Sequence, residues 1–127
     1  MNKTIYNWTG KTILLVEDDQ PSYLFLKYMI ESTNAKFLLA KTGGEALSFF
    51  TNKAKIDLIL LDIKLPDFSG LTVVEEIRKA GSEIPVIAQT AYALTLDREK
   101  AIESGCNEYL IKPLHRDALF ELMDQYL

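Results

Sequence analysis

The sequence predicts an α/β fold: βα repeated five times, giving a doubly wound parallel five-stranded sheet. Two observations predict it. Short, nearly continuous apolar runs alternate with stretches of helical periodicity, and Gly, Pro or acidic residues bound the runs. That alternation implies right-handed crossovers, with helices on both faces of the sheet.

The elements follow in order. The first strand falls at 11–17, where Ile13, Leu14, Leu15 and Val16 succeed one another. Such a run suits a strand buried on both faces. In the helix after it, Ser22, Phe25, Leu26, Met29 and Ile30 sit at i, i+3, i+4, i+7 and i+8, one apolar stripe. Tyr23, Leu24 and Tyr28 lie off that stripe. The second strand is 36–40, followed by a Gly43–Gly44 turn and a helix with Ala46, Leu47 and Phe50 on one side. The third strand, 56–61, contains Leu58, Ile59, Leu60 and Leu61. In the third helix Leu71, Val74 and Ile77 recur, and Ala80–Gly81 supplies the stop. The fourth strand is 85–89. Thr95 can cap the helix that follows, Asp97 and Glu99 favour its first turn, and Gly105 ends it. A fifth strand at 108–111 leads to a last helix carrying Leu119, Leu122, Met123 and Tyr126. Residues 1–10, with Tyr6 and Trp8, read as an extension or linker, and 11–127 as the domain.

Bulk properties narrow the function. The 127 residues are 48% hydrophobic and 25% charged, the mix of an ordinary globule. Eighteen acidic residues against fourteen basic ones leave a net charge of −4, which argues against a nucleic-acid surface. Cys106 is the only cysteine, so no internal disulfide or cysteine metal cluster can form. It reads as a small buried apolar residue. No apolar run approaches the ~18 residues of a membrane span, and the N-terminus does not read as a signal peptide, so a cytoplasmic location without membrane contact is expected.

The chemistry lies at the strand ends. In an open α/β sheet, ligands bind outside the carboxyl ends of the strands. Strand 1 ends in Glu17-Asp18-Asp19, strand 3 in Asp62 and strand 4 in Gln89-Thr90, and strand 5 leads into Lys112-Pro113. The fold would gather three carboxylates, a hydroxyl and an ammonium. Carboxylates at ~4 Å repel by ~4 kcal/mol at an effective dielectric of ~20, so such a cluster wants a cation. Hard oxygen donors without nearby His or Cys point to Mg²⁺ or a similar divalent ion. Metal and lysine together can hold a phosphoryl group, and Asp62 is the best-placed carboxylate to accept one as an aspartyl phosphate. Asp19 and Asp67 read as solvated loop residues, and His115 as a surface or capping residue.

The segments VEDD (16–19), LLDIKLPDFSG (60–70), QTAYA (89–93) and EYLIKP (108–113) resemble, in order and spacing, the motifs of response-regulator receiver domains. The resemblance covers about 11–127. It implies the flavodoxin-like receiver fold with strand order 2-1-3-4-5, and Asp62 as phosphoacceptor. It also implies Mg²⁺ bound by Asp18 directly, by Glu17 through water, by Asp62 and by the backbone carbonyl of Lys64. Thr90 would bond the phosphoryl oxygen, Lys112 would pair with it, and Tyr109 would be the aromatic switch. Lys112-Pro113 resembles the family's cis peptide. Lys64 and Tyr92 occupy positions that tune phosphoryl lifetime, Tyr92 as a bulky shield. The partners implied are a histidine kinase or histidine phosphotransfer domain, docking on the first helix with Tyr23, Leu24 and Tyr28, and a downstream protein or an effector on the same chain. Output through helix 4, strand 5 and helix 5, with a phosphorylation-dependent homodimer, is also implied. Such a domain signals rather than turning over substrate. The Trp8-Thr9-Gly10-Lys11 lead-in, IAQTAYA and DREKAIESGC are similar to receivers at the C-terminal end of hybrid histidine kinases.

Other functions on this fold fit less well. A non-phosphorylated docking module would have lost the acidic pair, the acceptor or the lysine, and all are present. A metal-dependent phosphatase of the aspartyl-phosphate type would want a second aspartate where Lys64 stands. A flavodoxin would want a hydroxyl- and glycine-rich loop where Glu17-Asp18-Asp19 would repel its flavin phosphate.

Overall fold

The computed structural model describes residues 5–91 and 95–127. Among them five strands alternate with five helices: β1 (Thr12–Val16), α1 (Gln20–Glu31), β2 (Lys36–Ala40), α2 (Gly43–Thr51), β3 (Leu58–Asp62), α3 (Gly70–Lys79), β4 (Val86–Thr90), α4 (Thr95–Ser104), β5 (Glu108–Ile111) and α5 (Arg116–Asp124). The strands are all parallel in the order β2-β1-β3-β4-β5. Tyr92 lies outside the described residues, as do the side chains of Thr95 and Asp97, so the expectations placed on them end there.

The continuous apolar runs are explained by two-sided burial. Every residue of β1, β3 and β4 is buried. Alternate side chains feed two cores. Leu14, Val16, Ile59, Leu61 and Val86 face α2, α3 and α4, whereas Ile13, Leu15, Leu58, Leu60 and Ile87 face α1 and α5.

Side-chain caps fix the helix starts. Asp19, expected in solvated loop, accepts from the Ser22 amide at 3.1 Å and begins α1. Thr42 does the same for α2 through Glu45 N at 3.0 Å, so Gly43 and Gly44 are the first helical residues rather than a turn before it. Gly81, at φ +86°, takes the left-handed conformation just past α3, where the stop was expected.

Two features depart from the periodicity. In α1 the buried face is Tyr23, Leu26, Met29 and Ile30, while Phe25 stays 54% exposed. The helix is rolled so that Tyr23 packs inward, with Lys41 Nζ 5.3 Å from its ring centre. Phe25 instead faces the β5–α5 turn. The second departure is at the N-terminus. Trp8 is buried, its ring 5.0 Å from that of Phe120, and Tyr6 is 5.7 Å from the same ring. Trp8 Nε1 donates to Asp124 Oδ1 at 2.8 Å and Trp8 N to Thr33 O at 2.7 Å. Part of the expected extension thus belongs to the α1/α5 core, and Phe120, which the helical pattern passed over, is its centre.

Candidate functional site

Parallel strands end at one edge, so the residues that close β1, β3, β4 and β5 meet there. Val16 pairs with Leu61 and Asp62 with Gln89, which puts Glu17, Asp62 and Gln89 in a row across three neighbouring strand ends. Strand alternation turns that row toward the α1/α5 side, two residues beyond Leu15, Leu60 and Ile87. Thr90, one residue on and buried, falls on the opposite side with Ala88 and the buried Tyr109.

Lys112 binds two members of the row together. Its amide donates to Thr90 O at 2.8 Å, extending the β4–β5 ladder by one residue, and the expected cis peptide to Pro113 follows. Its ammonium donates to Glu17 Oε1 at 2.5 Å and to Asp62 Oδ2 at 2.9 Å. The second Asp62 oxygen, Oδ1, accepts from the Lys64 amide at 3.0 Å. Glu17 is fully buried, and its Oε2 accepts from Asp19 N at 3.3 Å.

The electrostatics follow from that burial. Loss of water pushes the Glu17 carboxyl up from 4.5 to about 7; the Lys112 hydrogen bond pulls it down and the Asp62 charge pushes it up again. Burial alone would lower the Lys112 ammonium, but its bonds to the two carboxylates override this and raise it above its ordinary value. The lysine therefore stays charged across the neutral range.

The loop after β3 is anchored by Asp67, which the sequence had suggested was merely solvated. Its carboxylate accepts from Gly43 N and Gly44 N, both at 2.9 Å, tying the Lys64 loop to the start of α2. Any side chain at Gly43 would overlap the Phe68 ring, and any at Gly70 would overlap the Asp62 backbone carbonyl. These glycines permit the close approach that sets the loop beside the acidic row.

Glu17, Asp18, Asp62 and Lys64 line one cleft of about 310 Å³. Among the described residues no three acidic, His or Cys side chains converge as a preformed metal cage, because Glu17 and Asp62 turn to Lys112. The donor chemistry nonetheless fits a hard divalent ion. Three carboxylates and a backbone carbonyl offer only oxygen, and two of the carboxylates share the Lys112 ammonium. His115, at the first position before α5, makes no side-chain cap bond. Cys106 is buried, and burial raises its thiol to about 11, so it is an inert core residue.

A family model described as the response regulator receiver domain matches residues 13–124. The polar-differentiation response regulator DivK of Brucella anthropi is 34% identical over 119 residues, covering 92% of this chain and 96% of DivK. Hybrid signal transduction histidine kinase I of Dictyostelium discoideum is 35% identical over 120 residues; the match takes in 88% of this chain but only 7% of the kinase. Among solved structures, the receiver domain of the sensor histidine kinase PA1611 of Pseudomonas aeruginosa PAO1, with magnesium in its active-site cleft, superposes with a TM-score of 0.83 at 34% identity, covering 93% of this chain and 98% of that one. The response regulator TrrA of Thermotoga maritima, in complex with Mg²⁺ and BeF, gives 0.82 at 33% identity, covering 92% and 99%.

Proposed function

The chain belongs to the response regulator receiver domain family of two-component signalling, and on that footing we propose that Asp62 is the residue that accepts the phosphoryl group. The observation that carries this reading is the clamp on its carboxylate: Lys112 Nζ holds Oδ2 at 2.9 Å and Lys64 N holds Oδ1 at 3.0 Å, at the mouth of the acidic cleft. A nucleophile fixed at both oxygens loses little freedom on reaction.

The donor is a phosphohistidine on a histidine kinase or a histidine phosphotransfer domain. An Asp62 oxygen forms the new bond to phosphorus, the phosphorus–nitrogen bond breaks, and its electron pair stays on the imidazole. Glu17, Asp18, Asp62 and the Lys64 carbonyl would hold Mg²⁺, which supplies positive charge to the transferring group. Lys112 supplies the rest.

Phosphorylation adds roughly −1.5 to −2 charges at the row, which draws on Lys112 and on the Thr90 hydroxyl. Thr90 and Tyr109 lie on one side of neighbouring strands, so a shift of Thr90 is felt at the ring. The signal leaves through α4, β5 and α5, where Ile102 and Ile111 are half exposed. It reaches a downstream protein, an effector on the same chain or a second copy. The domain acts as an acceptor and switch rather than as a turnover enzyme.

Intact-mass spectrometry after incubation with acetyl phosphate tests this. We expect a Mg²⁺-dependent gain of one phosphoryl group on the wild type and none on Asp62→Asn. A mass gain that survives Asp62→Asn would move the acceptor elsewhere. No gain in the wild type, together with no binding of beryllofluoride, would favour a docking module that is never phosphorylated.

A further inference from the structure

The chain leaves β3 at Asp62 and enters α3 at Gly70, and the loop between them is pinched at its base. Gly70 N donates to Ile63 O at 2.7 Å, and Ile63 N to Gln89 O at 3.1 Å, so both ends of the loop are fixed beside the sheet. Beyond the pinch the loop has two sides. Lys64, Leu65 and Pro66 line the acidic cleft together with Glu17, Asp18 and Asp62.

Asp67 and Phe68 reach the start of α2 instead. Asp67 Oδ1 accepts from Gly43 N and from Phe68 N, and Oδ2 from Gly44 N, each at 2.9 Å. The Phe68 ring lies against Gly43, where a Cβ would have no room. Asp67 is not one of the residues lining the cleft, and backbone amides engage both its oxygens. Any influence it has on the cleft therefore runs through the backbone of the loop.

We propose that Asp67 is a positioning residue for the divalent ion: by anchoring the loop to α2 it fixes the Lys64 carbonyl, and so sets the affinity of the acidic cleft for Mg²⁺. The inference rests on the Lys64 carbonyl being a ligand of that ion. A side-chain ligand is aimed by its rotamer, but a carbonyl is aimed by the φ and ψ angles of its own loop. A loop held only at its base keeps several such angles free, and ordering them on binding costs affinity. Mg²⁺ makes that cost felt, because it demands near-ideal octahedral geometry. The two amides at the head of α2 order the loop in advance.

The test titrates the unphosphorylated full chain with Mg²⁺, followed by ¹⁵N NMR, in the wild type, Asp67→Ala, Asp67→Asn and Thr42→Ala. Thr42→Ala removes the other side-chain cap of α2, the bond from Glu45 N at 3.0 Å, without touching the loop. Asp67→Ala should bind Mg²⁺ about tenfold more weakly, as on loss of a group that orients a metal ligand. Asp67→Asn, which keeps one acceptor oxygen for Gly43 N, should fall between. Thr42→Ala should bind as the wild type does, although loss of the cap lowers its melting temperature. Without metal, hydrogen exchange at the Lys64 amide, which Asp62 Oδ1 accepts at 3.0 Å, should quicken in Asp67→Ala and not in Thr42→Ala. Wild-type affinity in both Asp67 variants overturns the proposal. So does equal weakening in Thr42→Ala, which would trace the effect to the stability of α2. Should Asp67→Ala not fold, Asp67→Asn decides alone by the same comparison. Absence of saturable Mg²⁺ shifts in the wild type would overturn the ion reading of the cleft and this inference with it, whereas binding by the wild type that no Asp67 variant weakens overturns this inference only.

Discussion

Glu17 and Asp62 occupy two places in the row of strand ends, and Gln89 occupies the next, yet the three are treated differently. The two carboxylates share one lysine and take further bonds from backbone amides. Gln89, in register with Asp62 one strand over, has neither end of its amide engaged among the described residues. The contrast follows from charge. A buried carboxylate without a partner would be several kcal/mol too costly to keep, whereas an unpaired amide costs ~1–3 kcal/mol and can be tolerated. Lys112 therefore goes where the cost is greatest, and the neighbouring amide is left unpaired among the described residues. One end of the row is organised around fixed charge, the other around an unmet hydrogen-bonding demand.

Removing the lysine breaks the charged half most severely. Lys112→Met leaves Glu17 fully buried beside Asp62 with no cation between them. Breaking one partner of a buried pair typically costs 3–5 kcal/mol; because the Lys112 side chain is 20% exposed, we expect the lower end, roughly 3 kcal/mol. Urea denaturation in metal-free buffer reads this, and the deficit should shrink when Mg²⁺ is added. A cost near zero would show that the pair is as well solvated as a surface bridge. Gly70→Ala disturbs the middle of the row by a different route. Its new methyl would meet the Asp62 carbonyl, which is backbone and cannot swing aside. We expect a loss of roughly 2 kcal/mol by the same measurement, in the range for overpacking, and slower modification by acetyl phosphate. Wild-type stability in this variant would mean the loop can withdraw from β3 without harm.

The fold and the acidic site were largely legible in the sequence because both rest on features of local pattern. Continuous runs such as Leu58–Leu61 mark strands buried on both faces, and topology then gathers the polar residues that follow them. What escaped depended on how one surface sits on another. Helical spacing gives α1 a stripe but not its roll, so Phe25 was placed inside and Tyr23 outside, the reverse of the structure. Trp8 lies 116 positions from its hydrogen-bond partner Asp124, and no local pattern links them. Asp67 looks like any loop aspartate until α2 is set beside it, when Gly43 and Gly44 present their amides. Gln89 was visible only as a polar residue closing an apolar strand; that its amide lacks a partner among the described residues is a fact about the surrounding packing.

A change of pH separates the halves of the row. Glu17 holds its proton more tightly in the folded chain, with its carboxyl raised from 4.5 to about 7 by burial. Between those values the folded state binds more protons than the unfolded one. This contribution is therefore fully present below pH 4.5 and is lost as pH rises through about 7, at no more than about 1.4 kcal/mol per pH unit. The other shifted groups act outside that window. Lys112 is raised from 10.5, so its contribution is lost only at still higher pH. Asp19, held below 3.8 by its bonds from Ser22, contributes stability that is lost only in acid. Gln89 does not titrate at all. Metal-free denaturation from pH 4.5 to 8 should thus show stability falling with pH, a slope that Glu17→Gln flattens and Gln89→Leu leaves unchanged. If Gln89→Leu altered the slope, the two halves of the row would be coupled through Lys112 even without a ligand, and the division of labour drawn above would give way to a single network.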